Sequence, residues 1–146
     1  MALDLQYVGW NAYDSLNVYF NKVELGIAPI KANKAYENTI IARLGAQYKA
    51  AECLMVRAGV YYDQTPVQED NLNPETPGMD KLGFSGGLSF ELRKNLQLDL
   101  AFLYIHGLSR DGSYTQNSVL TKQPEVFSGR YKTTALSASI GVAYCF

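Results

Sequence analysis

From Leu136 to Phe146 large apolar and small side chains take turns. Leu136, Ala138, Ile140, Val142, Tyr144 and Phe146 fill every second position, with Ser137, Ser139, Gly141, Ala143 and Cys145 between them. A period of two belongs to an extended strand whose two faces meet different surroundings. The pattern recurs along the chain. Leu82, Phe84, Leu88, Phe90 and Leu92 oppose Gly83, Ser85, Gly87, Ser89 and Glu91, and Leu96, Leu98, Leu100, Phe102 and Tyr104 oppose Gln97, Asp99, Ala101 and Leu103. Leu54, Val56, Ala58, Val60 and Tyr62 oppose Met55, Arg57, Gly59, Tyr61 and Asp63; Ile40, Ala42, Leu44, Ala46 and Tyr48 oppose Ile41, Arg43, Gly45 and Gln47. Two shorter runs begin the chain, Leu3, Leu5 and Tyr7, then Leu16, Val18 and Phe20. The alternation predicts seven strands, over about 2–10, 15–23, 38–49, 53–63, 81–92, 95–107 and 130–146.

The spacing between these strands alternates too. Few residues separate strands one and two (around Tyr13-Asp14), three and four (Ala50-Ala51-Glu52), and five and six (Arg93-Lys94). Long polar stretches, Glu24–Tyr36, Gln64–Asp80 and Leu108–Gly129, separate the others. Most strands have the roughly 9–11 residues that a tilted strand needs to cross a bilayer. Short turns on one rim and long loops on the other are the plan of an antiparallel, up-and-down transmembrane β-barrel, with periplasmic turns and extracellular loops. The expected fold class is all-β, a seven-strand portion of such a barrel, with Phe146 on the turn rim.

The same alternation fits a soluble, lipocalin-like barrel that carries a lipid inside. The composition of the less apolar face separates the two. A face turned to water usually carries Lys, Glu and Thr, whereas in the fifth and seventh strands it is Gly, Ser, Ala and Cys with a single Glu. Small residues suit the crowded inside of a barrel, which places the bulky ones against lipid. On that bulky face Tyr62, Phe84 and Tyr104 fall near the loop rim, and Tyr48, Phe90, Tyr144 and Phe146 near the turn rim. Two aromatic belts are expected where a barrel meets the two membrane interfaces.

Composition adds exclusions. The formal charge is −1, which gives no electrostatic case for nucleic acid. Charged residues are only 18% of the chain, while Tyr (11) and Gly (12) are abundant, as an alternating lipid-facing sheet requires. No run of 18 apolar residues exists, and barrel strands escape that scan. The opening MALDLQYVGW lacks the basic and apolar regions of a signal peptide and reads as a strand under way.

Catalytic chemistry finds little support. His106 stands at a strand end without a sequence-linked nucleophile or carboxylate, and no phosphate loop, dinucleotide fingerprint or HExxH is present. Glu69, Asp70, Glu75 and Asp80 offer oxygen ligands, but their spacing is not that of a calcium loop and suits a solvated loop. Cys53 and Cys145 fall three strands apart, about 14 Å, too far for a disulfide, so two free thiols are expected. The expectation is no enzyme, no cofactor and no metal. The lumen-lining candidates are Arg43, Arg57, Gln97 and Asp99. The two arginines stand on neighbouring strands of the small-residue face and require a carboxylate, which Asp99 supplies across the room left by Gly87 and Ser89. They either stiffen the wall by ion pairing or orient a ligand's carboxylate.

The stretches IIARLGAQYK, VRAGVYYDQTPV, NLNPETPGMDK, NLQLDLAFLYIHG and GRYKTTALSASIGVAYCF follow one another in an order that resembles the C-terminal half of the FadL family. That family comprises outer-membrane transporters for long-chain fatty acids and other hydrophobic compounds. The resemblance implies a bacterial outer-membrane location and passive uptake without cofactor. It implies membrane lipid and a hydrophobic ligand (fatty acid or detergent) as partners. It also implies the remaining N-terminal strands and hatch of a fourteen-strand barrel, or a second copy, to complete the wall. A structural fragment without activity of its own is the other expectation.

Overall fold

The computed structural model describes residues 1–13, 15–18, 30–69, 72, 78–117 and 123–146. Six strands form one antiparallel sheet: β1 (Ala2–Val8), β4 (Thr39–Ala51), β5 (Leu54–Asp63), β6 (Lys81–Arg93), β7 (Leu96–Gly107) and β10 (Thr134–Tyr144), hydrogen-bonded in that order. Two hairpins stand apart from it, β2 (Ser15–Val18) with β3 (Ile30–Asn33) and β8 (Arg110–Asn117) with β9 (Pro124–Tyr131). A single 3-10 turn, Trp10–Ala12, follows β1. Among the described residues the sheet ends at β1 on one side and β10 on the other.

The register keeps each face continuous across the sheet. Leu3 pairs with Leu44, Leu44 with Val60, Val60 with Phe84, Phe84 with Tyr104 and Tyr104 with Leu136. The adjoining rungs on the other face run Asp4–Arg43–Tyr61–Gly83 and Met55–Ser89–Asp99–Gly141. A slip of one residue anywhere would bring Leu and Phe onto the polar side, so the alternation itself fixes the pairing. Apolar residues of the bulky face are open to the surroundings, with Leu3 70%, Ile140 71% and Val142 68% exposed. The buried apolar residues lie in the loop after β5 instead: Val67, Leu72 and Met79. Met79 packs against Gly107 and Leu72 against Gly112, where any side chain larger than hydrogen would collide.

The expected order of seven consecutively paired strands is corrected at two places. Residues 15–18 of the expected second strand pair with β3 rather than with β1 or β4, and 19–23 lie outside the described residues. β1 pairs directly with β4. The connection around Tyr13-Asp14 is therefore no turn at the short rim, and β1 runs opposite to expectation, with Tyr7 at the loop rim beside Ile40. The stretch expected as a loop over 108–129 contains β8 and most of β9, and the expected strand over 130–146 breaks at Lys132 and Thr133. The physical reason differs: β8 and β9 are polar and contain glycine, so they read as loop, whereas β2 reads as a strand whose partner the pattern does not name. Alternation marks any strand with unlike faces, and a hairpin in water carries it as well as one in lipid.

Candidate functional site

The polar face of the sheet carries two separate charge clusters. Low on the face, toward the short turns, Arg57 Nη1 donates to Ser89 Oγ at 2.6 Å and stands 3.8 Å from Asp99 Oδ1. The Ser89 hydroxyl donates in turn to Asp99, and Gln97 Nε2 donates to both carboxylate oxygens at 2.8 and 3.0 Å. Three adjacent strands, β5, β6 and β7, each contribute to this bridge. Gly87, the register partner of Arg57, leaves the space through which the guanidinium reaches across β6.

Arg43 belongs elsewhere. It aligns with Tyr61, four residues from Arg57, or about 13 Å along the strand. Its Nη1 donates to Asp4 Oδ2 at 2.6 Å and to Gln6 Oε1 at 3.0 Å, both on β1. The expected sharing of Asp99 by the two arginines is corrected accordingly: Arg57 takes Asp99, and Arg43 takes Asp4. Asp4 became its neighbour only because β1, and not β2, lies next to β4.

Above Arg43 the described parts of the loop after β5, residues 64–67 and 78–80, lie over the polar face. Asp80 fastens it, accepting from the Thr65 amide at 2.8 Å and from the Tyr62 hydroxyl. Arg110 at the base of β8 holds the same loop through the Val67 and Gly78 carbonyls, at 2.6 and 3.4 Å. Beneath it lies a cavity of about 490 Å³, walled by Val8, Trp10, Ile41, Pro66, Val67 and Met79, with Gln6, Arg43, Asp63 and Lys81 among its polar lining. Trp10 meets Tyr36 edge-on at 5.9 Å, and Tyr13 stacks on Tyr36 at 6.0 Å. A second cavity of about 360 Å³ opens on the loop side, lined by Glu37, Glu69, Asp80 and Arg110. Alternation gave no sign of either cavity, because loop residues complete both.

The opposite face holds the aromatic rows. Tyr62, Phe84 and Tyr104 lie toward the long loops, with Tyr104 stacked on His106 at 6.4 Å; Tyr48, Phe90, Tyr144 and Phe146 lie toward the short turns. Tyr7, which is 68% exposed, extends the loop-side row. Cys53 and Cys145 are free thiols. Among the described residues no group of His, Cys, Asp or Glu is placed to hold a metal ion; Asp70 and Glu75 lie outside them. Among the described residues no helix is long and apolar enough to cross a membrane, a criterion that does not bear on strands.

Comparison with known proteins settles the family. Residues 1–146 match the family described as "Outer membrane protein transport protein (OMPP1/FadL/TodX)". The chain belongs to the FadL/OMPP1 family. Outer membrane protein P1 of Haemophilus influenzae is 30% identical over 102 residues, 70% of this chain and 21% of that protein. A long-chain fatty acid transport protein of Escherichia coli is 24% identical over 103 residues, 70% of this chain and 22% of that protein. The crystal structure of a Pseudomonas aeruginosa FadL homologue superimposes with a TM-score of 0.81 at 22% identity, covering 97% of this chain and 31% of the other. The chain thus spans about a fifth of the length of these curated relatives, at 21% and 22%. Its open antiparallel sheet matches part of the FadL-type β-barrel fold, and its family is one of outer-membrane transport proteins. The soluble lipocalin-like alternative falls away with that assignment.

Proposed function

We propose that this chain forms part of the wall of an outer-membrane barrel for passive uptake of long-chain fatty acids or other hydrophobic compounds. In this reading the polar face lines the passage, the apolar face meets lipid, the long loops face outward and the short turns face the periplasm. The open row of bulky apolar side chains on one face carries it, with Leu3, Leu44, Phe84, Leu136, Ile140 and Val142 all exposed; the glycines add to it. On the polar face a side chain at Gly59 or Gly83 would run into Ser85 or Tyr61 of the neighbouring strand, while Gly45, Gly87 and Gly141 meet ordinary contacts at 3.9, 3.5 and 3.8 Å. Gly86, on the apolar face, has nothing within 4 Å of where its Cβ would stand. Side chains crowd together on the inside of a curved sheet and spread apart on the outside. Lumen-lining roles for Arg43, Arg57, Gln97 and Asp99 follow from this assignment, as do lipid-facing roles for the two aromatic rows. The strands needed beyond β1 and β10 come from the rest of a longer protein, as the lengths of the relatives favour.

Both arginines already hold carboxylates, which favours a structural task for them over capture of a ligand's head group. The experiment is uptake of a labelled long-chain fatty acid by cells that lack other transporters and express the complete barrel containing this segment. Arg57→Gln is expected to lower the amount of folded protein in the membrane while leaving uptake per folded molecule unchanged. A drop in uptake per folded molecule that spares an uncharged compound of equal length would show that Arg57 guides a carboxylate.

A further inference from the structure

We infer that Arg93 and Lys94, with Tyr144 beside them, form a site for the phosphate of an anionic phospholipid at the turn rim of the apolar face. The inference rests on the reading that this face meets lipid. Simple alternation from Gly83 through Glu91 would put Arg93 on the polar face. The register places it otherwise. Glu91 pairs with Gln97 but Arg93 pairs with Leu96, so Leu92 is an extra residue in β6 and the pairing shifts. A bulge of this kind re-aims a side chain. Cross-strand partners share a face, and Leu96 belongs to the apolar row with Leu98 and Leu100. Arg93 therefore joins the apolar face at its lower edge, and Lys94 follows it in the turn before β7.

Its lack of a partner sets Arg93 apart. Arg43, Arg57, Arg110 and Arg130 each stand within 4.0 Å of a carboxylate, Asp4, Asp99, Glu69 and Asp111 in turn. Arg93 and Lys94 are exposed, and among the described residues no carboxylate lies within that distance of either. On the far side of Leu96 stands Tyr144, which pairs with it, is 57% exposed and meets the Phe146 ring at 5.9 Å. Arg93 and Tyr144 are thus two strand spacings apart, about 10 Å. Both side chains are long enough to converge on one group held over Leu96. The guanidinium matches a phosphate with two parallel hydrogen bonds, the ammonium adds a second charge, and the phenol adds a donor. The next apolar rung inward, Phe90–Leu98–Val142, offers a surface for acyl chains. A free phosphate would leave that surface bare. A phospholipid uses both parts.

The test uses the complete barrel containing this segment, cysteine-free and reconstituted in phosphatidylcholine vesicles. A bimane label is placed through Val142→Cys or, on the opposite edge strand, through Leu3→Cys; both positions are exposed on the apolar face. The quenchers are phosphatidylglycerol and phosphatidylcholine, each spin-labelled on the acyl chain near its headgroup, at equal low mole fraction. At position 142 phosphatidylglycerol is expected to be enriched at least about threefold over phosphatidylcholine. At position 3 the two should quench alike. Arg93→Gln combined with Lys94→Gln should bring position 142 to the ratio found at position 3. Arg130→Gln, which removes a positive charge from the hairpin of β8 and β9, should change nothing. Added salt should shrink the preference. Equal quenching by the two lipids at position 142 with both cations in place overturns the inference, and so does a preference that survives their removal. Absence of quenching by either lipid at both positions would overturn the reading that the apolar face meets lipid, and the inference with it.

Discussion

Arg57 and Asp99 face one another across β6 with the Ser89 hydroxyl between them, accepting from the guanidinium at 2.6 Å and donating to the carboxylate. Ser89 is 5% exposed, so its hydroxyl has no water to fall back on. Ser89→Ala is expected to lower stability by about 1 kcal/mol, the net worth of such a bond plus the loss of its bridging role. Arg57→Gln and Asp99→Asn should each destabilise, and the double variant should lose less than the sum of the two. Thermal melts of the complete barrel in detergent measure all four proteins. Strict additivity would mean that the bridge does not couple β5 to β7.

The two faces of β10 give a direct test of orientation. Ile140 and Val142 are exposed on the apolar face, whereas Ser139 and Gly141 alternate with them. Spin labels at 140 and 142 should be quenched by lipid-soluble oxygen, and labels at 139 and 141 by a water-soluble nickel chelate. Leu100→Arg, near mid-strand on β7, should cost about 2–4 kcal/mol in a membrane. The opposite quenching pattern would invert the sheet.

Among the described residues both edges of the sheet, β1 and β10, have no further strand partner, and lipid cannot satisfy such backbone groups. The 146-residue chain by itself is therefore expected to associate or aggregate in detergent. Sedimentation measures this; a stable monomer with every strand amide protected from exchange would count against the need for further strands.

The hairpin of β8 and β9 is clasped by Arg130, whose Nε and Nη2 reach the two oxygens of Asp111 at 2.8 and 3.1 Å. The hydrogen bond from Arg130 holds the Asp111 carboxyl below the usual carboxylate range, and Asp111 raises Arg130 in return. A depressed carboxylate stabilises the folded hairpin fully above the unfolded value of about 3.9, and the contribution vanishes as pH falls through the folded value. Exchange protection of the hairpin amides, corrected for intrinsic rates, should drop between neutral pH and pH of about 3. In Asp111→Asn it should be low and flat throughout. Both partners are exposed, so added salt should shrink the effect.

How far the sequence was legible depends on what each segment touches. β4 to β7 and the main run of β10 emerge from alternation alone, because one face of each is built almost wholly of apolar residues. The rim was opaque to the same reading. In water a hairpin such as β2 with β3 need not differ in pattern from a bilayer strand, and counting it into the sheet reversed β1. That reversal hid Asp4 from Arg43. Arg57 and Asp99 were legible because β5, β6 and β7 are joined in the order of the chain, with Gly87 and Ser89 marking the gap. The cavity beneath the loop was not legible, since it depends on where Trp10, Val67 and Met79 come to rest in three dimensions.

Among the described residues the buried apolar ones, Val67, Leu72 and Met79, lie in the loop after β5, at the end of the sheet that the proposed orientation turns to water. The two halves therefore answer to different solvents. Expulsion of water holds the loop cluster together and fades on cooling or in urea. Within the bilayer there is no water to expel, and the backbone bonds of the strands have no competitor. Chilling or dilute urea should loosen the roof of the cavity while the strands beneath stay paired. Access to the passage would then depend on temperature even though the passage itself does not.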